Sequence, residues 1–237
     1  QEERDENQKE KIEKIDISLI DNFKEHPFKV LDNEELKSLE ESIKQNGVMD
    51  AVIIRKKDDG RYEMVSGHRR LLASKKLGLK TIPACIKDLT DDEATILMVD
   101  SNLQREEILP SEKAFAYKMK LEAMKHQGKQ LETTSDPMEQ KLTTREIIAN
   151  ENGESASNIQ RYIRLTELIP ELLDLVDEKQ IALSPAVELS FLNDEQQYAV
   201  LDCIECNVAT PSHAQAIRLK KLSQEGTLTT DEIEDIL

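Results

Sequence analysis

Residues 64–73 read Met-Val-Ser-Gly-His-Arg-Arg-Leu-Leu-Ala, and this stretch decides the fold of the first half of the chain. Residues 61–65 predict a short strand, and a helix is predicted to begin at His68, directly after Gly67. A helix start carries unpaired N–H groups and partial positive charge, and glycine lets the backbone approach a ligand closely. Two arginines follow. The stretch predicts an anion site for nucleotide phosphates; an ordinary strand–helix turn with a solvated basic pair accounts for the same residues.

The hydrophobic pattern on either side predicts a small mixed α/β domain over residues 15–109. Leu36, Leu39 and Ile43 recur at helical spacing between a capping Asp32-Asn33 and a terminating Gly47. The predicted strands are 15–17, 51–55, 61–65 and 82–86, and further helices are predicted from 68 to about 78 and from 94 to 100. Residues 1–14 are highly charged without a core pattern, which predicts a flexible tail.

Composition limits the classes of function. The chain of 237 residues is 34% charged and 3% aromatic, which is typical of a largely helical protein. Its formal charge of −16 repels DNA, so a nucleic-acid function requires locally concentrated basic groups. Neither an apolar run of the about 20 residues that span a bilayer nor a signal segment is found, so we expect no membrane partner. Three cysteines, an odd number, fit a reducing cytoplasm, and the Cys203–Cys206 spacing is that of a helix as well as of a redox or metal pair.

The second half of the chain, residues 110–237, is predicted to be all helical. A helix capped by Ser111 is predicted to run to about His126, and residues 127–142 have the composition of a linker. Further helix starts or stops are predicted at Thr143, Gly153, Pro170, Ser184-Pro185, Pro211 and Gly226.

Residues 143–165 predict a helix-turn-helix. Ala149, four residues before Gly153, lets two helices cross closely, and the glycine permits a sharp turn between them. Ile159 is expected to pack the second helix on the first. The exposed face of that helix is expected to carry side chains that reach phosphates and base edges in the major groove. These are Ser155, Ser157, Asn158, Gln160, Arg161 and Arg164. A plain αα-hairpin is the alternative.

Three segments in this order resemble the ParB family of chromosome and plasmid partition proteins. Residues 66–70 (Ser-Gly-His-Arg-Arg) resemble the family's Gly-Glu-Arg-Arg phosphate motif, and residues 102–110 resemble its Glu-Asn-x-Gln-Arg motif. The helix-turn-helix follows at the expected place. Residues 66–69 also resemble the phosphate site of sulfiredoxin, which shares this domain fold. The resemblance implies an α+β chain: a ParB/sulfiredoxin-like mixed α/β domain followed by an all-α helix-turn-helix domain.

The resemblance further implies a nucleotide-switched DNA clamp. Such proteins bind CTP with Mg²⁺, recognise a palindromic double-stranded DNA site as a homodimer, and stimulate a ParA-like ATPase. We therefore expect a cytoplasmic protein associated with the nucleoid or a plasmid, and the family's C-terminal dimerisation segment is expected to be absent here. Asn102 is expected to help hold Mg²⁺. The implied nucleotide-binding residues are Ser66, Gly67, His68, Arg69, Arg70, His26, Lys29 and Asn102.

The chain departs from the family pattern at positions that matter for hydrolysis. Ser101 stands where the family has a glutamate, and a serine cannot act as a carboxylate base. His68 replaces the glutamate of the phosphate motif, and residues 26–28 (His-Pro-Phe) replace Gln-Pro-Arg, with Lys29 next. We therefore expect a CTPase that is slow at most, with His26 and His68 both facing the ligand.

Two alternatives remain open from the sequence. The site can be vestigial, leaving a DNA-binding transcription regulator. The same scaffold also supports a nucleotide-dependent small-molecule kinase, for which Glu63 and Asp100 are the candidate bases.

Overall fold

A computed structural model describes residues 11–30, 32–105, 107–131, 142–207 and 209–237, with the side chains of 129–131 and 207 excepted. The chain divides into two compact units between Gln104 and Arg105. We refer to them as the N-terminal unit and the helical unit. Within the described ranges, no helix combines the length and the apolar character needed to cross a membrane.

The N-terminal unit is built on a five-stranded mixed sheet with the order β1-β5-β3-β4-β2. The hairpin β3–β4 is antiparallel, while β3 pairs in parallel with β5. The strands are β1 (Ile12–Asp16), β2 (Ile20–Asp21), β3 (Val52–Lys56), β4 (Tyr62–Ser66) and β5 (Thr81–Lys87), and the helices are α1 (Glu34–Asn46), α2 (His68–Lys76) and α3 (Asp91–Leu103).

The predicted elements of this unit are confirmed except at its start, where β1 and the turn after it differ from the prediction and β2 was not predicted. Asn33 caps α1 by accepting a hydrogen bond from Leu36 N, and Gly47 ends that helix. The predicted tail is wrong for residues 12–14, which belong to β1, and Ile17 begins a 3₁₀ turn instead of continuing the strand. Because β1 lies at the sheet edge and pairs only with β5, its exposed side chains can be charged, which hid it in the sequence pattern. Residues 1–10 lie outside the described residues.

The core of the N-terminal unit lies between the sheet and its helices. Val52, Ile54 and Met64 of the hairpin are completely buried and pack with Leu71 of α2 and Ile82 of β5. Burial of such side chains is the main stabilising term for a unit of this size. The packing fixes the end of β4, and with it the point from which α2 starts.

The helical unit contains no strand among its described residues, as predicted. Thr143 begins a helix through a capping box with Glu146, and Gly153 ends it with a positive φ of 65°. Gly226 likewise ends a helix with a positive φ, of 73°. The helices are α4 (Pro110–Leu131), α5 (Thr144–Asn152), α6 (Ala156–Arg164), α7 (Pro170–Asp177), α8 (Leu183–Leu189), α9 (Asp194–Asn207), α10 (His213–Glu225) and α11 (Thr230–Ile236).

Two predictions about α4 are wrong. Ser111 lies one residue inside the helix rather than capping it, and its hydroxyl donates instead to Asp177 Oδ2 at 2.5 Å. Residues 127–131, assigned to a linker, continue the helix to Leu131, because a glycine inside a helix weakens it without ending it. The rest of the predicted linker falls largely on 132–141, outside the described residues.

The start of α8 also differs from the prediction. Ala182 is the N-cap, so Ser184 and Pro185 lie in the first turn. Proline is tolerated there because first-turn N–H groups have no partner within the helix. Cys203 of the Cys203–Cys206 pair is buried in the core of the helical unit, and burial raises the pKa of its thiol. The described residues contain no cluster of three or more metal-ligating side chains.

Candidate nucleotide and nucleic-acid sites

Gly67 links β4 to α2 in a backbone conformation that only glycine adopts readily, with φ 107° and ψ 24°. A Cβ at this position would lie 2.7 Å from Val52 Cγ1, so close packing on β3 requires the glycine as well. Asn33, Thr143 and Ser155 each cap a helix with a side-chain oxygen, whereas Gly67 has no side chain with which to cap α2. Gly67 thus leaves the first-turn N–H groups of α2 uncapped by its own residue, as an anion site requires.

The two arginines after His68 have different surroundings. Arg70 donates through Nη1 to the carbonyl oxygens of Asp50 at 2.7 Å and Ala51 at 2.9 Å, and burial lowers its pKa. Arg69 instead forms an ion pair with the exposed Glu35 at 3.0 Å. Arg70 therefore fastens the loop before β3, and Arg69 is the arginine whose partner a phosphate can displace.

His26 and His68 line one cleft. Their ring centroids are 3.9 Å apart with an interplanar angle of 46°, and Nδ1 of His26 donates to the carbonyl oxygen of Phe28 at 2.8 Å. The cleft has a volume of about 300 Å³, at the lower end of the range for ligand pockets. Its lining residues are Asn22, His26, Phe28, Val30, His68, Leu71, Leu72 and Lys75.

Sequence reasoning missed most of this lining. Leu71, Leu72 and Lys75 follow His68 at spacings of three, four and seven, the spacing of one helix face, so this signal was present in the sequence. Phe28 occupies the position of the family's arginine and is only 2% exposed, forming an apolar wall. By contrast, the lining does not include the other six predicted residues, which are Lys29, Ser66, Gly67, Arg69, Arg70 and Asn102.

Asn102 and Ser101 both direct a donor back to their own helix. The Asn102 side chain is buried, and its amide nitrogen donates to the carbonyl oxygen of Met98 at 2.8 Å. The Ser101 hydroxyl donates to the same oxygen at 2.9 Å. Within the Asn102 side chain, the amide oxygen is the atom with the chemistry of a magnesium ligand.

Glu63, one candidate base of the kinase alternative, is held by several contacts within the N-terminal unit. Glu63 is buried and accepts from Arg55 Nε at 2.7 Å and from the backbone N–H of Lys24 at 3.2 Å. Arg55 in turn pairs with Asp91 at 2.6 Å. These contacts commit the Glu63 carboxylate to the structure of the sheet, which disfavours it as the base of the kinase alternative.

In the helical unit, α5 and α6 form a close helix pair joined at Gly153. Ile148 and Ala149 of α5 and Ile159 of α6 are buried at their contact, which confirms the predicted packing. Ser155 caps α6 by accepting a hydrogen bond from Asn158 N. α4 packs on both helices, and the Nζ of its buried Lys120 lies 2.6 Å from Glu151 Oε2 of α5. The pair is thus held as a rigid helix-turn-helix.

The predicted face of α6 is exposed at its N-terminal end only. Ser155, Ser157 and Gln160 are exposed. Arg161 is half-buried and donates to Ser184 Oγ of α8 at 2.7 Å, and Arg164 binds the Ser190 side chain and carbonyl at the end of α8. Both arginines are half-buried against α8, so this end of the face is less open than predicted. Asn158 donates to Glu154 and is half-buried.

Fold and sites together define a class of protein: a mixed α/β unit with a cleft beside a helix start, followed by a helical unit that contains a helix-turn-helix. Two family models match in the same order, the ParB N-terminal domain over residues 1–103 and the ParB HTH domain over residues 106–218. The chain belongs to the ParB family.

Relatives of this chain include chromosome-associated proteins. It is 31% identical over 190 residues to the nucleoid occlusion protein of Geobacillus sp. (strain WCH70), covering 80% of this chain and 62% of that protein. It is 34% identical over 171 residues to the chromosome-partitioning protein Spo0J of Thermus thermophilus, covering 72% of this chain and 56% of that protein. The chain thus spans about three fifths of the length of these relatives.

Among solved structures, the C2221 form of a Pnob8-like ParB-N domain has a similar fold. The TM-score is 0.53 at 19% sequence identity, and the match covers 95% of this chain and 97% of that one. At this identity, the likeness confirms the fold alone.

Proposed function

We propose that this chain is a DNA-binding partition protein of the ParB family that reads double-stranded DNA with α6. The main observation behind this proposal is the α5–α6 pair, which has buried residues on both helices and a capped start of α6. At that start, Ser155, Ser157 and Gln160 are exposed to solvent. Recognition helices contact base edges with their N-terminal residues, and hydroxyl and amide side chains suit that role. The names of the relatives, partition and nucleoid occlusion proteins, support this proposal.

A palindromic DNA site and a homodimer belong to the same proposal, since two copies of a helix-turn-helix read two half-sites related by two-fold symmetry. Arg161 is the cation of α6 that lies nearest its exposed end, and it donates a hydrogen bond to Ser184 of α8. Association with the nucleoid or a plasmid, and a ParA-like ATPase as partner, follow from the family and are proposed with it.

For the N-terminal unit we propose CTP binding at the start of α2. The residues fit such a ligand: the first-turn N–H groups and Arg69 suit phosphates, and the cleft beside His68 offers an enclosed, partly apolar space for the rest of the nucleotide. We also assign His26 and Lys29 to the proposed nucleotide-binding residues. The choice of CTP rests on the family, because nothing in the cleft distinguishes one base from another.

Mg²⁺, when bound, would neutralise charge on the phosphates. It would be held mainly by phosphate oxygens and water, with Asn102 Oδ1 as the one proposed protein ligand, since no described cluster of acidic side chains is placed to hold a metal. Ser101 cannot orient water as a carboxylate does, and its hydroxyl already donates to Met98. The proposed site therefore binds and releases nucleotide, with slow hydrolysis at most.

A clamp switched by nucleotide requires α4 to move, and the helical unit holds that helix at its start and at its middle. Asp177 accepts from both the backbone N–H and the hydroxyl of Ser111, and Lys120 pairs with Glu151. In the proposed clamp, these contacts define the state in which α4 stays packed on the helix-turn-helix. Nucleotide-dependent cross-linking of the dimer is the measurement that detects the switch.

DNA binding is tested by selecting duplexes from a random library and then measuring affinity for the enriched sequence. We expect an enriched palindrome and a loss of its preference in Gln160→Ala, while binding to random duplex changes little. A base contact of this kind is worth about 1–3 kcal/mol of discrimination. Failure to enrich any sequence would overturn specific recognition by α6.

Nucleotide binding is tested by calorimetry with CTP, ATP, GTP and UTP in the presence of Mg²⁺. Arg69→Ala is expected to abolish CTP binding and leave DNA binding intact. Lys76→Ala is the matched control, since it removes another ion-paired cation, bound to Asp32 and Glu40, from the same helix. Unchanged CTP affinity in Arg69→Ala would contradict the phosphate assignment.

A transcription regulator with a vestigial nucleotide site is the second candidate. The observation that favours it is the use of Arg70 for backbone carbonyls and of Phe28 as an apolar wall, which removes two cations from the family's phosphate site. Wild-type protein that binds none of the four nucleotides but retains specific DNA binding would establish this alternative.

A further inference from the structure

A surface ring with two cations lies beyond the C-terminal end of α6. Phe191, in the turn after α8, is 38% exposed. Arg164 Cζ lies 4.1 Å from the centroid of the ring and Lys220 Nζ of α10 lies 3.8 Å from it. The exposed ring thus gathers two long basic side chains from separate helices, an arrangement stabilised by cation–π attraction.

Both cations are held in place by further contacts. Arg164 Nε donates to Ser190 Oγ at 3.0 Å, and another nitrogen of the same guanidinium donates to the Ser190 carbonyl. Lys220 Nζ lies 2.8 Å from Glu188 Oε2. Because long side chains lose conformational freedom when they bind a ligand, this pre-ordering lowers the entropic cost of contacting one.

The charge of this surface is opposite to that of the chain as a whole. Lys220 faces the carboxylate of Glu188, which also lies 3.9 Å from the exposed His213 Nε2, and Arg164 adds a second cation beside them. Arg164 and Lys220 outnumber Glu188 by one positive charge, and such a local excess is what a chain with a net charge of −16 needs in order to contact a polyanion.

We propose that Arg164, Phe191 and Lys220 form a cationic surface that contacts the phosphate backbone of DNA beside the groove read by α6. This inference rests on the proposed DNA binding. With the N-terminal residues of a recognition helix on base edges, its C-terminal end lies toward the backbone. Arg164 is the last residue of α6, so the cationic surface continues the helix in that direction. The ligand is the phosphodiester, independent of sequence.

Glu188 has a defined part in this contact. Glu188 pairs with Lys220 when no DNA is bound, and a DNA phosphate must displace the Glu188 carboxylate before it can bind Lys220. Glu188 therefore weakens binding to any duplex and limits the affinity for non-specific DNA.

The test compares Lys220→Gln with Lys221→Gln in the full chain. Lys221 is the matched control: it lies next along α10, its side chain is 74% exposed, and it pairs with Glu225 of the same helix at 3.8 Å. Both variants change the net charge equally. The probe is a fluorescently labelled duplex of random sequence, followed by anisotropy over a range of salt concentrations, with thermal melting to verify the fold.

The plot of log affinity against log salt has a negative slope, and loss of one phosphate contact makes that slope less steep by about 0.9. This change corresponds to an affinity roughly eight-fold weaker at about 0.1 M salt. We expect this change in Lys220→Gln and much less in Lys221→Gln. Glu188→Gln is expected to tighten binding in the wild-type background more than in Lys220→Gln, because part of its effect acts through Lys220.

The outcomes separate the two proposals. If the wild-type chain binds no duplex at low salt, the proposed DNA binding is overturned. If the wild-type chain binds and the two lysine variants have equal slopes and affinities, the cationic surface is overturned and α6 recognition stands.

Discussion

The turns at Gly67 and Gly153 deliver the helices on which the two proposed functions depend, yet they are packed differently. Both glycines have positive φ, 107° and 65°. A Cβ at Gly67 would meet Val52 at 2.7 Å, whereas a Cβ at Gly153 would have no heavy atom of the described chain within 4 Å. The turn before α2 is thus built into the core of the N-terminal unit, and the turn before α6 depends on backbone conformation alone.

The largest expected effect comes from Gly67→Ala. Strain at a positive φ and overpacking against Val52 together cost roughly 2–5 kcal/mol of unfolding free energy. Gly153→Ala, which meets only the strain, costs about 1 kcal/mol. Hydrogen exchange reports each unit separately, through amides of β4 and of α5. Equal losses of protection for the two variants would show that the contact with Val52 does not matter.

The arginines after Gly67 extend the comparison to side chains. Arg70→Ala removes two hydrogen bonds from a charged donor to backbone carbonyls and is expected to destabilise the N-terminal unit by about 2 kcal/mol. Arg69→Ala removes one ion pair with an exposed glutamate, worth about 0–1 kcal/mol. Urea denaturation of both variants measures the difference. A larger loss for Arg69→Ala would reverse the roles that we assign to them.

Local signals explain why so many elements could be predicted from the sequence. Asn33, Thr143 and Gly153 act within one helical turn, so their residue types determine where helices begin and end. The candidate nucleotide site depends instead on contacts between residues that are far apart in the sequence. The tilted contact between the rings of His26 and His68 joins residues 42 positions apart in the sequence, and no local pattern predicts it.

Errors in the sequence predictions have the same origin. Ser111 has the residue type of a cap, but its hydroxyl binds Asp177 of α7 instead of capping α4. Arg164 has the right spacing for an exposed face, yet α8 packs there and binds it. In both cases a tertiary contact outweighed a local preference, as it commonly does.

Two serines at the start of α6 allow the effect of helix capping to be measured separately from the effect of DNA contact. Ser155→Ala removes the oxygen that accepts from Asn158 N at 3.1 Å and is expected to cost about 1 kcal/mol. Ser157→Ala, at an exposed position, is expected to stay within about 0.5 kcal/mol of wild type while weakening specific DNA binding. Thermal melting and anisotropy on the same samples distinguish the two. If binding weakens in Ser155→Ala but not in Ser157→Ala, the start of α6 contributes to DNA binding through helix stability and not through a contact of Ser157.

The smallest expected effect is a difference in acid sensitivity between the units. Hydrogen bonds from Arg61 and then Lys57 lower the pKa of Asp21 in the N-terminal unit, and those from Thr143 lower the pKa of Glu146 in the helical unit. Each carboxylate therefore stabilises its unit above the pKa of the unfolded side chain, about 4, and loses that contribution as the pH falls below it. Asp21→Asn should make the N-terminal unit less stable at pH 7 and flatten its decline toward pH 2, without altering the decline of the helical unit. Hydrogen exchange at both pH values tests this, with Glu146→Gln as the reciprocal control; a flattened decline in both units of Asp21→Asn would mean that the two unfold together.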